Sequence, residues 1–377
     1  MGISAKVISD SIISPLGLST SECVEAILKG ETGLKYRGVI WPNTEPVTTA
    51  KIERKKISSF FDNSVNYTFF EQIAILAVKS AVEKLAGKVK IDLSSADTLF
   101  VLSTTKGNIE LLEKNINDHK LGLYSSALAI TSFFNNSNRP VVISNACISG
   151  VAAIIEAKRY IENKHYKRVV VVGADVLSKF VVSGFQSFKA LSADLCRPFD
   201  KLRCGLNIGE GAAAIILEGT DTLCNNDLII EGGGMANDAN HISGPSRTGE
   251  GLYRAINDAR YGVNGTIDFI NTHGTATLYN DEMESIALSR QSLLEPPLSS
   301  FKGYFGHTLG AAGVIESVVC LESMRRNVMI GTKGFETLGV SMPVNVLAKT
   351  KNSEIKRVLK TASGFGGSNA AIIISKI

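Results

Sequence analysis

Apolar and polar positions along the 377-residue chain follow two alternating rhythms. Short apolar runs of strand length are followed by stretches in which apolar residues return every three or four positions, the spacing of a helix with one buried face. Residues 3–13 predict a strand that ends at the turn Pro15-Leu16-Gly17. Ser19 or Thr20 caps a short helix through Leu28, and Gly30 stops it. Residues 31–50 hold neither period and predict a surface loop. A long helix is expected from Asn66 to Leu85, a strand over 97–103 and a helix over 107–120. Arg168-Val169-Val170-Val171-Val172-Gly173 is an uninterrupted apolar run closed by glycine, the pattern of a strand covered on both faces. Residues 194–211 are irregular, and 212–218 and 227–235 predict the next two strands. Strands alternating with helices make the fold class α/β.

The second half of this pattern repeats the first. Gly150-Val151-Ala152-Ala153-Ile154-Ile155-Glu156 is matched by Gly310-Ala311-Ala312-Gly313-Val314-Ile315-Glu316, and Gly211-Ala212-Ala213-Ala214-Ile215-Ile216 by Ser368-Asn369-Ala370-Ala371-Ile372-Ile373. Both pairs are offset by about 160 residues, which points to a duplicated unit packed on itself. The expected halves are 1–220 and 221–377.

Composition narrows the function classes. Hydrophobic residues make up 44% and charged residues 20%, as in a globular chain with a large core. A net charge of +4 is too mild for a dedicated nucleic-acid binder. Six cysteines are scattered with no Cys-x-x-Cys pair, and no leader peptide is evident, so a reduced, cytoplasmic protein is expected. Lys6 stands where a myristoylation signal needs Ser or Thr. No apolar run reaches the roughly 18 residues of a membrane span.

Chemistry concentrates at a few turns. The run Val141-Val142-Ile143 leads into Ser144-Asn145-Ala146-Cys147-Ile148-Ser149-Gly150, and a helical pattern from Val151 to Glu162 leads out. Cys147 therefore sits where a strand turns into a helix, among small neighbours. A thiol there faces the positive end of the helix dipole, which favours thiolate and predicts a lowered pKa. A lone cysteine in an apolar region is ordinarily a small hydrophobe; its place at this turn makes a nucleophile an equal reading. His273, in Asn271-Thr272-His273-Gly274-Thr275-Ala276-Thr277, follows the apolar strand Ile267 to Ile270. His307, in Lys302-Gly303-Tyr304-Phe305-Gly306-His307-Thr308-Leu309-Gly310, follows the predicted strand Phe301 to Phe305. Both stand beside glycine at strand ends, where ligands bind in α/β folds. No carboxylate or further histidine lies at ligand spacing beside either, so a metal site is not expected. Gly364-Phe365-Gly366-Gly367-Ser368-Asn369 lacks the Gly-Lys-Ser/Thr of a phosphate loop; it is a tight turn whose N–H groups could hold an oxyanion.

Taken together, Asn145-Ala146-Cys147-x-Ser149-Gly150, Thr272-His273-Gly274-Thr275-x-Thr277, Lys302-x4-His307-Thr308-x-Gly310-Ala311-Ala312-Gly313 and Gly364-Phe365-Gly366-Gly367-x-Asn369 resemble the β-ketoacyl-[acyl carrier protein] synthases of the elongating, Cys-His-His type. Arg197-Pro198-Phe199-Asp200 and Gly209-Glu210-Gly211 fit the same family. The resemblance spans nearly the whole chain in order. It implies the thiolase-like fold, a duplicated five-layered αβαβα core with mixed sheets. It implies that Cys147 takes an acyl group from the phosphopantetheine thioester of acyl carrier protein, with the backbone N–H groups of Cys147 and Phe365 as oxyanion hole. It implies further that neutral His273 and His307 stabilise the enolate left when a malonyl thioester loses carbon dioxide. Lys302 and Glu316 resemble the charged pair that orders the site, Thr275 and Thr277 the positions that hold the pantetheine arm, and Phe365 the aromatic gate of the acyl pocket. No metal or nucleotide cofactor is implied. Initiating relatives carry His and Asn, and thiolases His and a second Cys; two histidines point to decarboxylative elongation.

Carrier protein is acidic, so Arg54, Lys55, Lys56 and Lys189 are the expected docking cations, Lys189 by its match to a basic docking position of the family. A homodimer is implied, or a heterodimer with a second synthase-like chain. The sequence departs from the family at Leu278, Ser363, Cys204 and Thr104-Thr105-Lys106-Gly107-Asn108, and in shorter loops before Cys147 and Arg197. These departures bear on substrate identity and point to a specialised pathway, for a polyene or another unusual acyl chain. The competing readings are a condensing enzyme that uses acyl-CoA, a non-catalytic chain-length partner subunit, and an apolar-ligand binding protein.

Overall fold

The computed structural model describes residues 2–62, 67–87 and 91–377. Its centre is a ten-stranded mixed sheet. In space the strands run Leu298–Ser299, Phe269–Asn271, Arg357–Gly364, Ser368–Lys376, Leu228–Asn237, Ser4–Ile13, Gly211–Thr220, Arg168–Asp175, Thr98–Ser103 and Val141–Ile143. The two inner members, Ser4–Ile13 and Leu228–Asn237, lie side by side and are in ladder register at the pair Lys6 and Ile229. On each side of that seam the chain visits its five strands in one spatial order: third, second, fourth, fifth, first. The senses repeat as well. In both sets the second strand lies parallel to the third and fourth, and the fifth antiparallel to the fourth and first. The two segment pairs that look alike in sequence fall at matching places.

Burial explains the layering. Arg168–Asp175 is buried along its whole length. Val169 and Val171 face a central apolar cluster, whereas Val170 and Val172 face an outer one with Phe70, Ile73 and Ala77. The outer helix is Phe69–Glu83, begun by a Thr68–Glu71 capping box; the expected starting residue Asn66 lies outside the described residues. The central cluster is filled by helices Ser149–Glu162 and Ala312–Arg326, which touch both halves of the sheet. Ile154, Ile155, Val314 and Ile315 are buried there, and each such side chain contributes about 1.5–3 kcal/mol. Helices Glu250–Arg260 and Leu278–Arg290 cover the remaining face. The outer helix Phe69–Glu83, one five-stranded half of the sheet, the central helix pair, the other half and the outer helices Glu250–Arg260 and Leu278–Arg290 form the five layers.

Three local expectations need correction. Residues 31–50 are not a plain loop. Leu34–Gly38 and Val47–Ala50 form a small sheet with Ile208–Gly209. Residues 107–120 contain two short 3-10 turns, Ile109–Glu113 and His119–Leu121, instead of a helix, because buried Asn108 bonds Glu71 Oε1 and Lys120 O and fixes the chain as a loop. Phe301–Phe305 is not a strand: Lys302–Phe305 turns as a short helix, closed by Gly306 N–H donating to Lys302 O.

Candidate active site

The strand Val141–Ile143 delivers the chain to Cys147 through a strained turn. Ala146 adopts φ 44°, a left-handed conformation that costs a residue with a Cβ about 1 kcal/mol or more. Ser149 braces it, its Oγ donating to Ala146 O at 2.6 Å and accepting from Asn145 N–H at 2.8 Å. The helix begins at Ser149 with Ile148 at its cap position, and Ile148 offers no side-chain cap to the first-turn N–H groups. Gly150 allows the close approach of the second central helix, since a Cβ there would lie 2.7 Å from Val314 N.

The other two loops show the same economy of space. His273 follows the strand Phe269–Asn271. Glu284 accepts from the N–H groups of His273 (2.8 Å) and Gly274 (2.6 Å), and Asp281, one turn earlier on the same helix, accepts from Thr275 N–H (2.9 Å). Burial raises both carboxyls, Asp281 to about 6. His307 is pinned by the small sheet: its N–H donates to Asn207 O at 2.7 Å, and Gly209 N–H donates to its carbonyl at 3.0 Å. The strands overlooked in 31–50 therefore bear on the site. Asp175, fully buried, ties Gly310 N–H (2.6 Å) to Thr104 Oγ1 (2.8 Å) and Thr105 N–H (3.0 Å). Ala276 and Leu309, like Ala146, hold positive φ.

The three loops converge. A ligand atom each from Cys147, His273 and His307 lies within 4.8 Å of the others. The imidazole centroids are 5.1 Å apart and nearly perpendicular. His307 Nδ1 accepts from Leu309 N–H at 3.3 Å, and His273 Nδ1 lies 3.3 Å from Lys302 Nζ. These partners assign the proton to Nε2 in both rings. Burial and the cations of Lys302 and Lys360 hold both histidines well below their ordinary pKa, so both rings are neutral. Among the described residues His307 Nε2 is buried with no partner, a donor ready for an incoming oxygen. Although the trio has the ligand types of a zinc site, a metal would need the lone pair at Nε2, which this tautomer lacks.

Behind His273 lies a charged cluster. Lys302 Nζ donates to His273 O (2.6 Å) and Glu316 Oε1 (2.7 Å), with all three residues buried. Burial opposes the charge on Glu316, but Lys302 and Lys360 hold its carboxyl below the usual value. The expected thiolate at Cys147 is not the resting form. Burial pushes the thiol up to about 11, against the pull of Lys302 and of Phe365 N–H, which faces the sulfur. Gly364 lets that turn approach, since a Cβ there would lie 3.0 Å from Cys147 N.

A cavity of about 520 Å³ opens over the sulfur, lined by Cys147, His273, His307, Thr275, Thr277 and Phe365 among others. Thr275 and Thr277 hydroxyls lie 2.9 Å apart at its wall. The Phe365 ring stacks on Phe185 (5.5 Å) and meets Phe188 edge-on (5.2 Å). These two aromatics, and His241 at the mouth, escaped the sequence reading, which had no marker for them. Lys360 also escaped it, although its alternation with Val358 and Ala362 marks an inward-facing lysine.

The basic residues divide. Lys189 is exposed at the cavity mouth. Lys55 and Lys56 are exposed on the short helix Arg54–Ser58. Arg54 is not a free docking cation. Its guanidinium lies 2.5 Å from buried Glu210 and 2.9 Å from Glu110, and it covers the Phe69 ring at 3.4 Å. Glu210 also accepts from Ile52 and Leu177 N–H, so Arg54 closes an internal joint.

Comparisons with known proteins agree with this geometry. The chain matches the N-terminal domain of β-ketoacyl synthase over residues 102–222 and the C-terminal domain over 228–336. It is 27% identical to 3-oxoacyl-[acyl-carrier-protein] synthase 1 of Buchnera aphidicola subsp. Acyrthosiphon pisum, covering 97% of each chain. It is 32% identical to 3-oxoacyl-[acyl-carrier-protein] synthase 2 of Rhizobium meliloti, over 68% of this chain and 65% of that one. Its fold matches a chain of the ketosynthase ApeO in complex with its chain length factor ApeC from Xenorhabdus doucetiae, with TM-score 0.86 and 23% identity over 100% and 98% of the two chains. With a cysteine and two neutral imidazoles converging inside a duplicated α/β core, and both domain signatures in order, the chain belongs to the β-ketoacyl synthase family.

Proposed function

We propose that this chain is a 3-oxoacyl-[acyl carrier protein] synthase that extends an acyl chain by decarboxylative condensation. The observation that carries the reading is the convergence of Cys147 with two imidazoles whose Nδ1 atoms are already occupied. Cys147 gives up its thiol proton as its sulfur attacks the acyl thioester of a carrier protein; the carrier C–S bond breaks, and the departing pantetheine sulfur takes up that proton and leaves as the carrier thiol. The oxyanion formed meets the N–H groups of Cys147 and Phe365. A malonyl thioester then takes the emptied cavity. Its terminal C–C bond breaks, carbon dioxide leaves, and the electron pair moves to the thioester oxygen, where the Nε2–H groups of His273 and His307 donate. Each such aimed donor is worth about 3–4 kcal/mol. The enolate carbon attacks acyl-Cys147 and expels the thiolate, giving a 3-oxoacyl product two carbons longer. Lys302 and Glu316 orient the site, Thr275 and Thr277 line the pantetheine path, and Phe365 gates the acyl pocket. None of these steps calls for a metal or nucleotide.

The partner is an acidic acyl carrier protein, docked at the mouth by Lys189 with Lys55 and Lys56 as outlying cations. Residues 1–220 and 221–377 are the two thiolase-like halves, the first bearing the nucleophile and the second both histidines. The protein pairs as a dimer through Val141–Ile143, the last strand of the sheet, whose three apolar residues are only half-buried. A second copy makes a homodimer; a chain length factor, as in the ApeO complex, would make a heterodimer. No described helix is long and apolar enough to cross a membrane, and six unpaired cysteines accord with the reducing cytoplasm.

Intact-protein mass after incubation with acyl carrier proteins of varied acyl groups tests the reading, with Cys147→Ala beside it. One acyl adduct that disappears in the variant supports it, and the best donor identifies the acyl class. No adduct from any donor on folded protein would favour a chain-length partner subunit, and adducts from acyl-CoA alone a CoA-dependent enzyme.

A further inference from the structure

Lys360 stands where its strand calls for an apolar residue. Along Arg357–Gly364, Val358 and Ala362 face the central cluster and Leu359 the outer one. Lys360 shares the parity of Val358 and Ala362 and is completely buried. Its Nζ lies 2.6 Å from Glu316 Oε2 and donates to Thr361 O at 2.6 Å. The other Glu316 oxygen holds Lys302 at 2.7 Å. Two ammonium groups thus contact one carboxylate. An apolar side chain at 360 would leave the balanced pair Lys302–Glu316, so the second cation is not needed to pair the first. The buried Glu284 carboxyl also feels the Lys360 charge. A second buried cation on one carboxylate is nonetheless costly, and beside a reactive site it marks a functional role.

We propose that Lys360 is a positioning residue of the condensing site: through the Glu316 it shares with Lys302, its charge keeps His273 and His307 as neutral Nε2–H donors. This rests on the condensing reading above. The contacts run in series from Lys360 Nζ to Glu316 Oε2 (2.6 Å), from Glu316 Oε1 to Lys302 Nζ (2.7 Å), from Lys302 Nζ to His273 Nδ1 (3.3 Å), and from the His273 ring to that of His307 (5.1 Å between centroids). Each Nδ1 faces a donor, Lys302 Nζ for His273 and Leu309 N–H for His307. A proton added at either Nδ1 would set N–H against N–H and displace the ring. Other groups draw protons inward. Glu284 and Asp281 hold the His273 loop from below, and Asp175 holds Gly310 beyond His307. Against these carboxyls stand Lys302, Lys360 and, nearer Cys147, Lys106, while the Cys147 thiol is uncharged at rest. Lys360 is among the cations that disfavour protonation of both rings.

The test uses the full chain with labelled histidines. Ring titration by NMR, thermal unfolding and malonyl-carrier decarboxylation are followed against pH for wild type, Lys360→Met, Lys360→Gln and Lys360→Arg. In the Met and Gln variants, ring protonation should appear at higher pH and decarboxylation at the acid end should fall roughly tenfold, one unit of protonation equilibrium. Their rates should approach wild type at alkaline pH, with no loss of unfolding temperature. Lys360→Arg, which keeps the charge, should titrate like wild type. A lysine that merely fills space would lower the unfolding temperature of the Met and Gln variants and leave ring titration and acid limb unchanged; either result overturns the proposal. A wild type that decarboxylates no malonyl carrier would remove the condensing reading, while ring titration would still decide the role of Lys360.

Discussion

Gly150 and Gly313 press backbone against backbone where the two central helices begin. A Cβ on Gly150 would lie 2.8 Å from Gly313 Cα, and one on Gly313 would overlap Val151 N. The contact sets the spacing between the Cys147 turn and the loop that carries His307. Because the obstructing atoms are backbone, no side chain can swing away. Gly313→Ala should lower stability by about 1–3 kcal/mol and reduce condensation more than carrier binding. Thermal unfolding and kcat against KM check this, and an unchanged unfolding temperature would mean that the helices part freely.

Removing the carboxylate between the buried lysines should be far more damaging than removing either lysine. Glu316→Gln leaves Lys302 and Lys360 facing each other without a countercharge. Breaking a buried pair in this way costs about 3–5 kcal/mol. Chemical denaturation should show that loss, and a variant as stable as wild type would mean that the lysines shed their protons instead.

Cys147 should behave as a thiol. With its pKa pushed up to about 11 by burial, the thiolate forms only as pH climbs, so alkylation by iodoacetamide should accelerate throughout the alkaline range. Peptide mapping separates Cys147 from exposed Cys204 and Cys224. A rate already on its plateau near neutrality would show that the helix terminus outweighs burial.

How much of this was legible in sequence depended on whether the signal was local. Cys147, His273 and His307 each stand in a turn with glycine nearby, and a turn is written in adjacent residues. Leu34–Gly38 was hidden because its middle residues are exposed and its sheet is completed by Ile208–Gly209, far along the chain. His307 is rightly placed in a loop, but Lys302–Phe305 is helical where a strand is expected, since so short a stretch carries no period of its own. The lowered thiol followed from the helix terminus alone; burial, a property of the whole fold, reversed it. Lys360 reads as a surface lysine until strand register turns it inward.

The basic run should split on mutation. Lys55→Glu, and Lys189→Glu at the mouth, should raise KM for the carrier protein several-fold at low salt and leave unfolding unchanged, as rim charges do. Arg54→Glu would place a third carboxylate beside Glu210 and Glu110 and should destabilise the fold outright. Steady-state kinetics beside thermal unfolding separate the two classes; equal KM effects with equal stability would return Arg54 to the docking surface.

The chain passes from one set of five strands to the other through the short link of residues 221–227. The nucleophile precedes that link, and both imidazoles follow it. A product truncated at the link would carry a cysteine without its imidazoles, Lys302 or the Phe365 turn, and a bare central helix inviting aggregation. Severed there, the two pieces would have to find each other before any carbon–carbon bond formed. Turnover restored by mixing separately made fragments would therefore serve as a complementation assay, reporting correct assembly of the whole molecule from its working parts.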